Sequence, residues 1–368
     1  MNRTLLRNAI TVLALALAVR WVAVAVLQPH FGSYVMDDYA VIGQNILDGH
    51  GFSYLAGTSI PTVTRAPFYP LWWAVELAMF GRNFPLLRMG EGFIDAVTAA
   101  SIVFMTAALC RLPMNHGSSS VSSENEIRAF QSLWVATFAG VIYSVQPFSI
   151  YYAVKMGSET WFTLWLVLLI WSFVAWVLAP SYVRGVLMGA VLGVLLLNKS
   201  TAIGLAMILA VLGLIWMGER RTVARVSLIL CVVVAAVIIT PWMIRNYKVS
   251  GGYVVPIQTL TWWNFWSDFD FSPSNLTDTV STHYDGLRGG FPYTLSAVDD
   301  VRQEAHMRNQ ALHWLSSHPW AMLRKMAQNL LEFWYLVEGV LRSRITGAAM
   351  VLELLLAFAG GRLAWRAG

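Results

Sequence analysis

Residues 9–27 read AITVLALALAVRWVAVAVL, an apolar run that one charged residue, Arg20, interrupts. About 18 consecutive apolar residues are enough for a helix to cross the hydrocarbon core of a bilayer. Arg3 and Arg7 precede the run, and residues 23–25 resemble a signal-peptide cleavage site, but the run is too long for a signal-peptide core. We therefore expect a retained first membrane helix.

The rest of the chain has the same character. Hydrophobic residues make up 57% of the 368 positions and charged residues only 12%. Soluble domains carry about 25% charged residues, so a soluble fold is excluded. We expect an all-α integral membrane protein, a polytopic helix bundle that forms a single domain over residues 1–368. The predicted membrane helices lie near 9–27, 89–109, 129–146, 159–178, 185–198, 201–217, 226–243 and 345–362.

Arginine clusters predict the orientation, because short cytoplasmic loops of membrane proteins are enriched in Lys and Arg. The clusters all fall on one side of the predicted helices, which we assign to the cytoplasm together with the N-terminus. Two large loops, 28–88 and 244–322, are then extracytoplasmic, and the expected location is the cell (plasma or inner) membrane. The clusters are Arg3 and Arg7, Arg111 and Arg128, Arg184, and Arg220, Arg221 and Arg225.

Two further apolar stretches need separate treatment. Residues 67–80 contain Pro67, Pro70 and Glu76 and are short for a span, which favours a helix at the membrane interface. Residues 323–341 are interrupted by polar side chains and fit either an interfacial helix or a ninth span. The charge rule favours eight spans and a cytoplasmic C-terminus.

Composition also bears on partners and cofactors. The net charge of +5 comes from clusters at segment ends and not from a basic stripe, so we expect no nucleic-acid partner. Cys110 and Cys231 lie in or beside apolar runs, which argues against a disulfide framework. His50 and His283 lack metal-ligand spacing, so no zinc site is predicted.

Two adjacent carboxylates, Asp37 and Asp38, follow the first predicted span. One of them suits the N-cap of a short helix that Gly49 or Gly51 would end. Carboxylates beside the membrane surface also suit a general base for a hydroxyl group, or a ligand for a cation. The pair alone does not decide between these roles.

Arg65 stands near the end of the same loop, two residues before Pro67. A snorkelling arginine at an interfacial turn is one interpretation. The other is a phosphate contact, because the planar guanidinium matches phosphate oxygens.

These segments occur in an order that resembles a known family. The chain is similar to GT-C glycosyltransferases of the family 39-like type, which use polyprenyl-phosphate-linked sugars and are related to protein O-mannosyltransferases and the lipid A aminoarabinose transferase. The acidic pair is commonly Asp-Glu in that family and is Asp-Asp here. The matching segments are Asp37-Asp38-Tyr39, Leu47-Asp48-Gly49-His50-Gly51-Phe52, Arg65-Ala66-Pro67-Phe68-Tyr69-Pro70-Leu71, Ser158-Glu159, Pro241-Trp242-Met243-Ile244-Arg245-Asn246-Tyr247, His318-Pro319 and Phe333-Trp334.

The resemblance implies a GT-C bundle that moves a sugar, with inversion, from a polyprenyl-phosphate donor to a hydroxyl of a lipid, cell-envelope glycan or protein. It implies catalytic roles for Asp37 and Asp38, with Asp37 the preferred base, and charge stabilisation by Arg65. It identifies no certain cofactor, and a divalent cation is compatible with the acidic pair. The other residues that we assign to substrate binding are Tyr69, Lys155, Glu159, Arg245 and Arg20.

Several basic residues keep a second interpretation. Arg20 either snorkels outward or points inward to a lipid phosphate. Lys155 either pairs with Glu159 or contacts phosphate, and Lys199 is expected to be a snorkelling anchor.

Two other functions compete with transfer. A transporter or flippase of lipid-linked sugars would share the apolar spans, but the sequence shows no paired broken helices in repeated halves. A non-catalytic membrane partner would have no need to keep both the acidic pair and Arg65.

The acidic pair generates the first prediction. Asp37→Asn should abolish sugar transfer while the protein still inserts, because an amide keeps the capping ability but not the base. Asp38→Asn should reduce transfer less. Turnover is measured on membranes with matched protein levels, and wild-type turnover in both variants would leave capping as the only role of the pair.

Overall fold

The computed structural model describes residues 3–32, 39–112, 122–215, 221–259, 262 and 296–317, and isolated residues between 319 and 355. Throughout this part of the chain the regular structure is helical and no β-strand occurs. The predicted all-α class is therefore confirmed for the described residues. The helices are α1 Arg3–Phe31, α2 Tyr39–Leu47, α3 Phe68–Phe80, α4 Phe84–Leu109, α5 Ser122–Val145, α6 Pro147–Lys155, α7 Ser158–Leu178, α8 Tyr182–Asn198, α9 Ile203–Ile215, α10 Arg221–Val249 and α11 Ala297–Ser317.

Every predicted membrane helix up to residue 243 coincides with a helix, whereas 345–362 and 323–341 lie outside the described residues except for a few positions. The observed helices extend beyond the apolar runs: α1 begins at Arg3, and α10 continues from Arg221 to Val249. The hydrocarbon core requires a backbone that satisfies its own hydrogen bonds but sets no limit on a helix outside it, so a helix can continue beyond its apolar run.

Length distinguishes these helices. Four described helices, α1, α4, α7 and α10, are long and apolar enough to cross a membrane. A fifth span results if α5 and α6, which meet at a 51° bend, are counted together. The helices α8 and α9 are shorter than a full span. The described part of the chain is thus that of a multi-pass membrane protein.

The chain forms two compact units. Unit 1 comprises residues 1–59 and 66–246, and unit 2 comprises residues 60–65 and 247–368. In unit 1, α4 is the central helix, because it packs against α1, α5, α6 and α7.

Small side chains bring α1, α4 and α5 close together. Gly140 on α5 faces α1 and α4 so closely that a Cβ there would lie 2.6 Å from Val103 and 2.9 Å from Val12. Close packing of small residues contributes to helix association in membranes, where no hydrophobic effect drives helices together. The buried cluster at this contact is Leu5, Ala9, Val12, Ala16, Ala96, Ala99, Val103, Ala107 and Ala136.

A second close contact joins α8 and α10. Gly185, Gly189 and Gly193 recur every four residues along one face of α8. A Cβ at Gly189 would overlap the carbonyl oxygen of Cys231, and one at Gly193 would lie 2.9 Å from Ile238. This repeated glycine spacing lets the two backbones approach, as in other membrane helix pairs.

One buried ion pair crosses unit 1. The Arg20 side chain on α1 is 0% exposed, and its guanidinium lies 2.6 Å from Asp95 on α4. Arg20 also donates to the carbonyl oxygens of Tyr143 and Ser144 and, at 2.8 Å, to Ser149 Oγ. The Tyr143 hydroxyl donates to Asp95 at 2.5 Å.

This network corrects both sequence-based alternatives for Arg20. The side chain neither snorkels to the surface nor presents an open guanidinium, because each of its nitrogens bonds to a protein acceptor. The sequence alone did not identify the partner of Arg20, because Asp95 lies 75 residues away in the chain.

The predicted loop 28–88 contains more helix than its description as a loop suggests. It holds α2, α3 and the first turn of α4. Glu76, whose place in the sequence predicts an interfacial face, is instead buried at 1% exposure. The prediction of a helix at 67–80 is correct, but its acidic residue lies on the inner side.

Unit 2 gathers three described segments: residues 60–65, residues 247–259 and α11. A small buried core joins them, formed by Val63, Val255 and Ala297 with Val249 and Val301 against it. The predicted second loop, 244–322, therefore contains an ordered helix, while most of residues 260–295 lie outside the described part of the chain.

The Arg20–Asp95 pair generates the second prediction. Arg20→Met should lower the free energy of unfolding by about 3–5 kcal/mol, because Asp95 would remain buried without its cation. The double variant Arg20→Met, Asp95→Asn should recover much of this loss, since the amide is neutral and still accepts from Tyr143. Chemical unfolding in detergent micelles measures both values.

Arg82→Met is the matched control, because Arg82 is exposed and its bond to Gln44 is a surface contact. An Arg20→Met variant that unfolds like Arg82→Met would contradict a structural role for the pair.

Candidate functional site

Asp37 and Asp38 lie outside the described residues, but the chain on both sides of them is anchored. Before the pair, the carbonyl oxygen of Gly32 accepts a 2.9 Å hydrogen bond from the buried Arg88, which also donates to Val154 O at 2.8 Å. After the pair, the Tyr39 hydroxyl donates to Ser158 Oγ at 3.4 Å. The ends of this short segment are thus held by α4, α6 and α7.

The segment that follows α2 forms a closed turn around one amide. Asn45 is buried and donates to the carbonyl oxygens of Ser53 and Leu55, each at 2.9 Å, and accepts from Gly57 N. Gly49 and Gly51, the glycines of the family-like segment, have φ values of +81° and +78°. Side chains other than glycine rarely adopt this backbone conformation, which explains both glycines.

The end of that turn meets the late Pro-Trp segment of α10. Arg245 lies over the rings of Trp242 and Phe52, at 4.7 Å and 5.2 Å from their centroids, and donates to Phe52 O at 3.2 Å. The Phe52 and Trp242 rings also pack edge to face. Two segments that are 190 residues apart in the chain, and that the family resemblance identified separately, therefore form one contact.

Lys155 and Glu159 lie at the junction of α6 and α7. Glu159 pairs with Lys199 at 2.6 Å. The sequence did not predict this ion pair, and the role of Lys199 as a snorkelling anchor stays a prediction. The buried Lys155 ammonium lies over the Tyr151 ring at 5.5 Å.

The backbone between these two residues is strained. Met156 has a φ of +57°, the one positive value at a non-glycine residue in the described part of the chain. A left-handed conformation at such a residue costs energy and is concentrated at functional sites. Met156 is fully buried, so packing maintains this conformation and fixes the direction of Lys155.

Tyr69 is also brought to this region, though not to a surface. Its side chain is fully buried on α3, and its hydroxyl donates to Glu91 at 3.0 Å. Burial and the neighbouring Glu91 carboxyl raise the pKa of Tyr69 well above its usual value, so the hydroxyl stays protonated. Its ring packs on Tyr39 at 5.0 Å, which supports the segment after the acidic pair.

Arg65 belongs to unit 2, where a buried carboxylate holds its neighbours. Asp300 on α11 accepts from Thr62 Oγ1 at 2.7 Å and from Val63 N at 2.8 Å. Val63 O accepts from Thr259 N at 2.9 Å. The strand-like segment that carries Arg65 is therefore fixed on both sides, and sequence analysis missed Asp300 because it lies 237 residues from Val63.

The structure thus groups some predicted site residues and leaves others apart. Tyr69, Lys155 and Glu159 lie around the N-terminus of α7, and Arg245 joins Phe52. Arg20 belongs to the ion-pair network of α1 and α4. Among the described residues no group of three His, Cys, Asp or Glu side chains could hold a metal ion.

Asp300 generates the third prediction. Asp300→Ala should leave the buried Val63 N–H without an acceptor and lower the free energy of unfolding of this region by about 2 kcal/mol. Exchange of the Val63 amide, followed by hydrogen–deuterium mass spectrometry, should accelerate. Asp299→Ala is the control, because Asp299 is 44% exposed and, among the described residues, its side chain contacts only the Ser296 hydroxyl, at 2.7 Å, and the exposed Arg302, at 4.0 Å. Equal exchange in the two variants would contradict a specific role for Asp300.

Comparison with known proteins yields no relative: no family model, no curated protein and no solved structure matches this chain.

Proposed function

We propose that the chain is a GT-C-type membrane glycosyltransferase. It takes a sugar from a polyprenyl-phosphate donor and transfers it, with inversion, to a hydroxyl group of a lipid, cell-envelope glycan or protein. The reaction takes place on the extracytoplasmic side of the plasma or inner membrane. Lipid-linked donors need no nucleotide-binding domain, which fits a chain that is helical throughout its described residues.

The contact of Arg245 with Phe52 and Trp242 is the observation that carries the proposal. A chance resemblance of short motifs does not require that distant motifs meet in space. Here the glycine segment after α2 and the Pro-Trp segment of α10 contact each other, because Arg245 of the second donates to the carbonyl oxygen of Phe52 in the first.

The anchored ends of the acidic segment are a second support. A general base must be held within hydrogen-bond reach of its substrate proton. Arg88 fixes Gly32, and Ser158 and Tyr69 fix Tyr39, so only a short connection carries Asp37 and Asp38.

In the proposed step, Asp37 accepts the proton of the acceptor hydroxyl as its oxygen attacks the anomeric carbon. The new glycosidic bond forms as the bond from that carbon to the phosphate oxygen breaks, and the electron pair leaves with polyprenyl phosphate. The growing negative charge on the phosphate is the main electrostatic demand, and Arg65 is assigned to it.

A flippase for lipid-linked sugars is the second candidate, and the bend between α5 and α6 favours it. Broken helices near a binding site are typical of transporters. The described residues contain one such bent pair and no counterpart to it. Purified protein in vesicles separates the two functions: a transferase releases polyprenyl phosphate from the donor, whereas a flippase moves the donor intact.

Arg65 generates the fourth prediction. Arg65→Ala should lower kcat by about 10²-fold, and Arg65→Lys should recover only part of it, because an ammonium lacks the planar pair of donors. The effect should fall on kcat more than on donor affinity, since the contact strengthens as the phosphate departs. The assay is release of polyprenyl phosphate by purified protein.

Arg302→Lys serves as the matched control, because Arg302 is an exposed arginine of unit 2 whose nearest carboxylate is 4.0 Å away. Full activity of Arg65→Lys would favour a simple anchor. Loss of donor binding at unchanged kcat would confine Arg65 to docking of the lipid.

A further inference from the structure

Two buried carboxyl groups on α3 and α4 have no part in the proposed reaction. Glu76 is 1% exposed and Glu91 is 0% exposed. The hydroxyl of Tyr69 donates to one oxygen of Glu91. The other oxygen of Glu91 and both oxygens of Glu76 accept no hydrogen bond from the described residues.

Gly90 shows how closely the two helices meet at this point. A Cβ at Gly90 would lie 2.9 Å from Glu76 Oε1. The carboxyl group of α3 thus rests on the backbone of the α4 turn that carries Glu91. Glu91 lies in the electrostatic field of Glu76.

The charged groups around this pair are engaged elsewhere. On α4, Asp95 pairs with Arg20 of α1, and Arg88 donates to the carbonyl oxygens of Val154 and Gly32. At the ends of α7 and α8, Glu159 pairs with Lys199. The residues of α2 include no charged side chain. Within the described residues no cation forms an ion pair with Glu76 or Glu91.

Two ionised carboxylates cannot share an apolar site without a cation, because desolvation and mutual repulsion both oppose ionisation. Burial raises the pKa of Glu76 to about 8. The orphaned oxygens therefore need protons.

We propose that Glu76 and Glu91 form a proton-binding site that holds α3 on α4 while protons occupy it. The site couples the docking of α3 to pH. The two carboxyl groups are neutral at a pH below the range in which they lose their protons in the folded protein. Above that range, ionisation places a negative charge in the contact between α3 and α4.

The sign of the pH effect follows from linkage. A carboxyl whose pKa is higher in the folded state binds more protons folded than unfolded, so stability falls as pH rises. The fall in stability begins above pH 4.5, the ordinary pKa of a glutamate side chain, and is complete once the pH passes about 8, the pKa of Glu76 in the folded state. A structural ion pair would give the opposite dependence.

The test is thermal unfolding of the full-length protein in detergent from pH 5 to pH 9. The melting temperature of the wild type should fall by several degrees on the alkaline side. Glu76→Gln should flatten this dependence and unfold at a higher temperature than the wild type at pH 9. Asp48→Asn, the same change at an exposed carboxylate, should keep the wild-type curve.

Infrared spectroscopy gives a second readout, and its first result is measured on the wild type, so that it does not depend on folding of a variant. The wild type at pH 6 should show the carbonyl band of a protonated carboxylic acid, and Glu76→Gln should lose intensity there. No such band in the wild type would overturn the proposal. A Glu76→Gln variant as pH-sensitive as the wild type would also overturn it.

Dependence on sodium or another metal ion at fixed pH, lost in Glu76→Gln, would identify a metal cation as the occupant and would overturn proton binding.

Discussion

A buried arginine requires a buried acceptor, and Arg20 and Asp95 impose that constraint on the centre of unit 1. The guanidinium sits where lipid-facing charge would be costly, and one carboxylate with three acceptors from the α5–α6 region surrounds it. The pair fixes the register of α1 against α4. The other acceptors of Arg20 lie on both sides of the bend between Val145 and Pro147, because Ser144 near the end of α5 and Ser149 near the start of α6 both bond to Arg20.

The position of α6 has consequences for the candidate site. Its last residue, Lys155, precedes the left-handed Met156 and the start of α7 at Ser158. Ser158 in turn accepts from Tyr39, the first residue after the acidic pair. The Arg20–Asp95 ion pair inside the bundle thus supports α6, the start of α7 and, through Tyr39, one end of the segment that carries Asp37 and Asp38. Sites that need fixed geometry are commonly supported in this way by bonded groups beneath them.

The membrane helices could be predicted from runs of apolar residues, because the sequence pattern that indicates such a helix lies within the helix itself. Residues 9–27 and 89–109 predicted α1 and α4 without any knowledge of their partners. Partners that are distant in the chain were not predictable, because neither Asp95 nor Asp300 carries a local sign of what it bonds to.

The burial of Glu76 could not be predicted from the sequence either. An isolated acidic residue in a short apolar helix predicts a solvent-exposed face, yet the face of α3 that carries Glu76 packs against α4. Periodicity could not reveal this, because α3 is apolar on nearly all sides and its buried face is set by α2 and α4. The contact at Arg245 between the glycine segment and the Pro-Trp segment was likewise not predicted, because the sequence identified the two segments only separately.

The central claim is that the chain transfers a sugar from polyprenyl phosphate to an envelope acceptor. Mass spectrometry of cell-envelope glycans and glycolipids, with and without the protein, tests it most directly. The account predicts that one glycan or lipid loses a single sugar when the protein is absent, and that polyprenyl-phosphate-linked sugar accumulates. An unchanged envelope, or a donor that accumulates only on the cytoplasmic face, would contradict transfer.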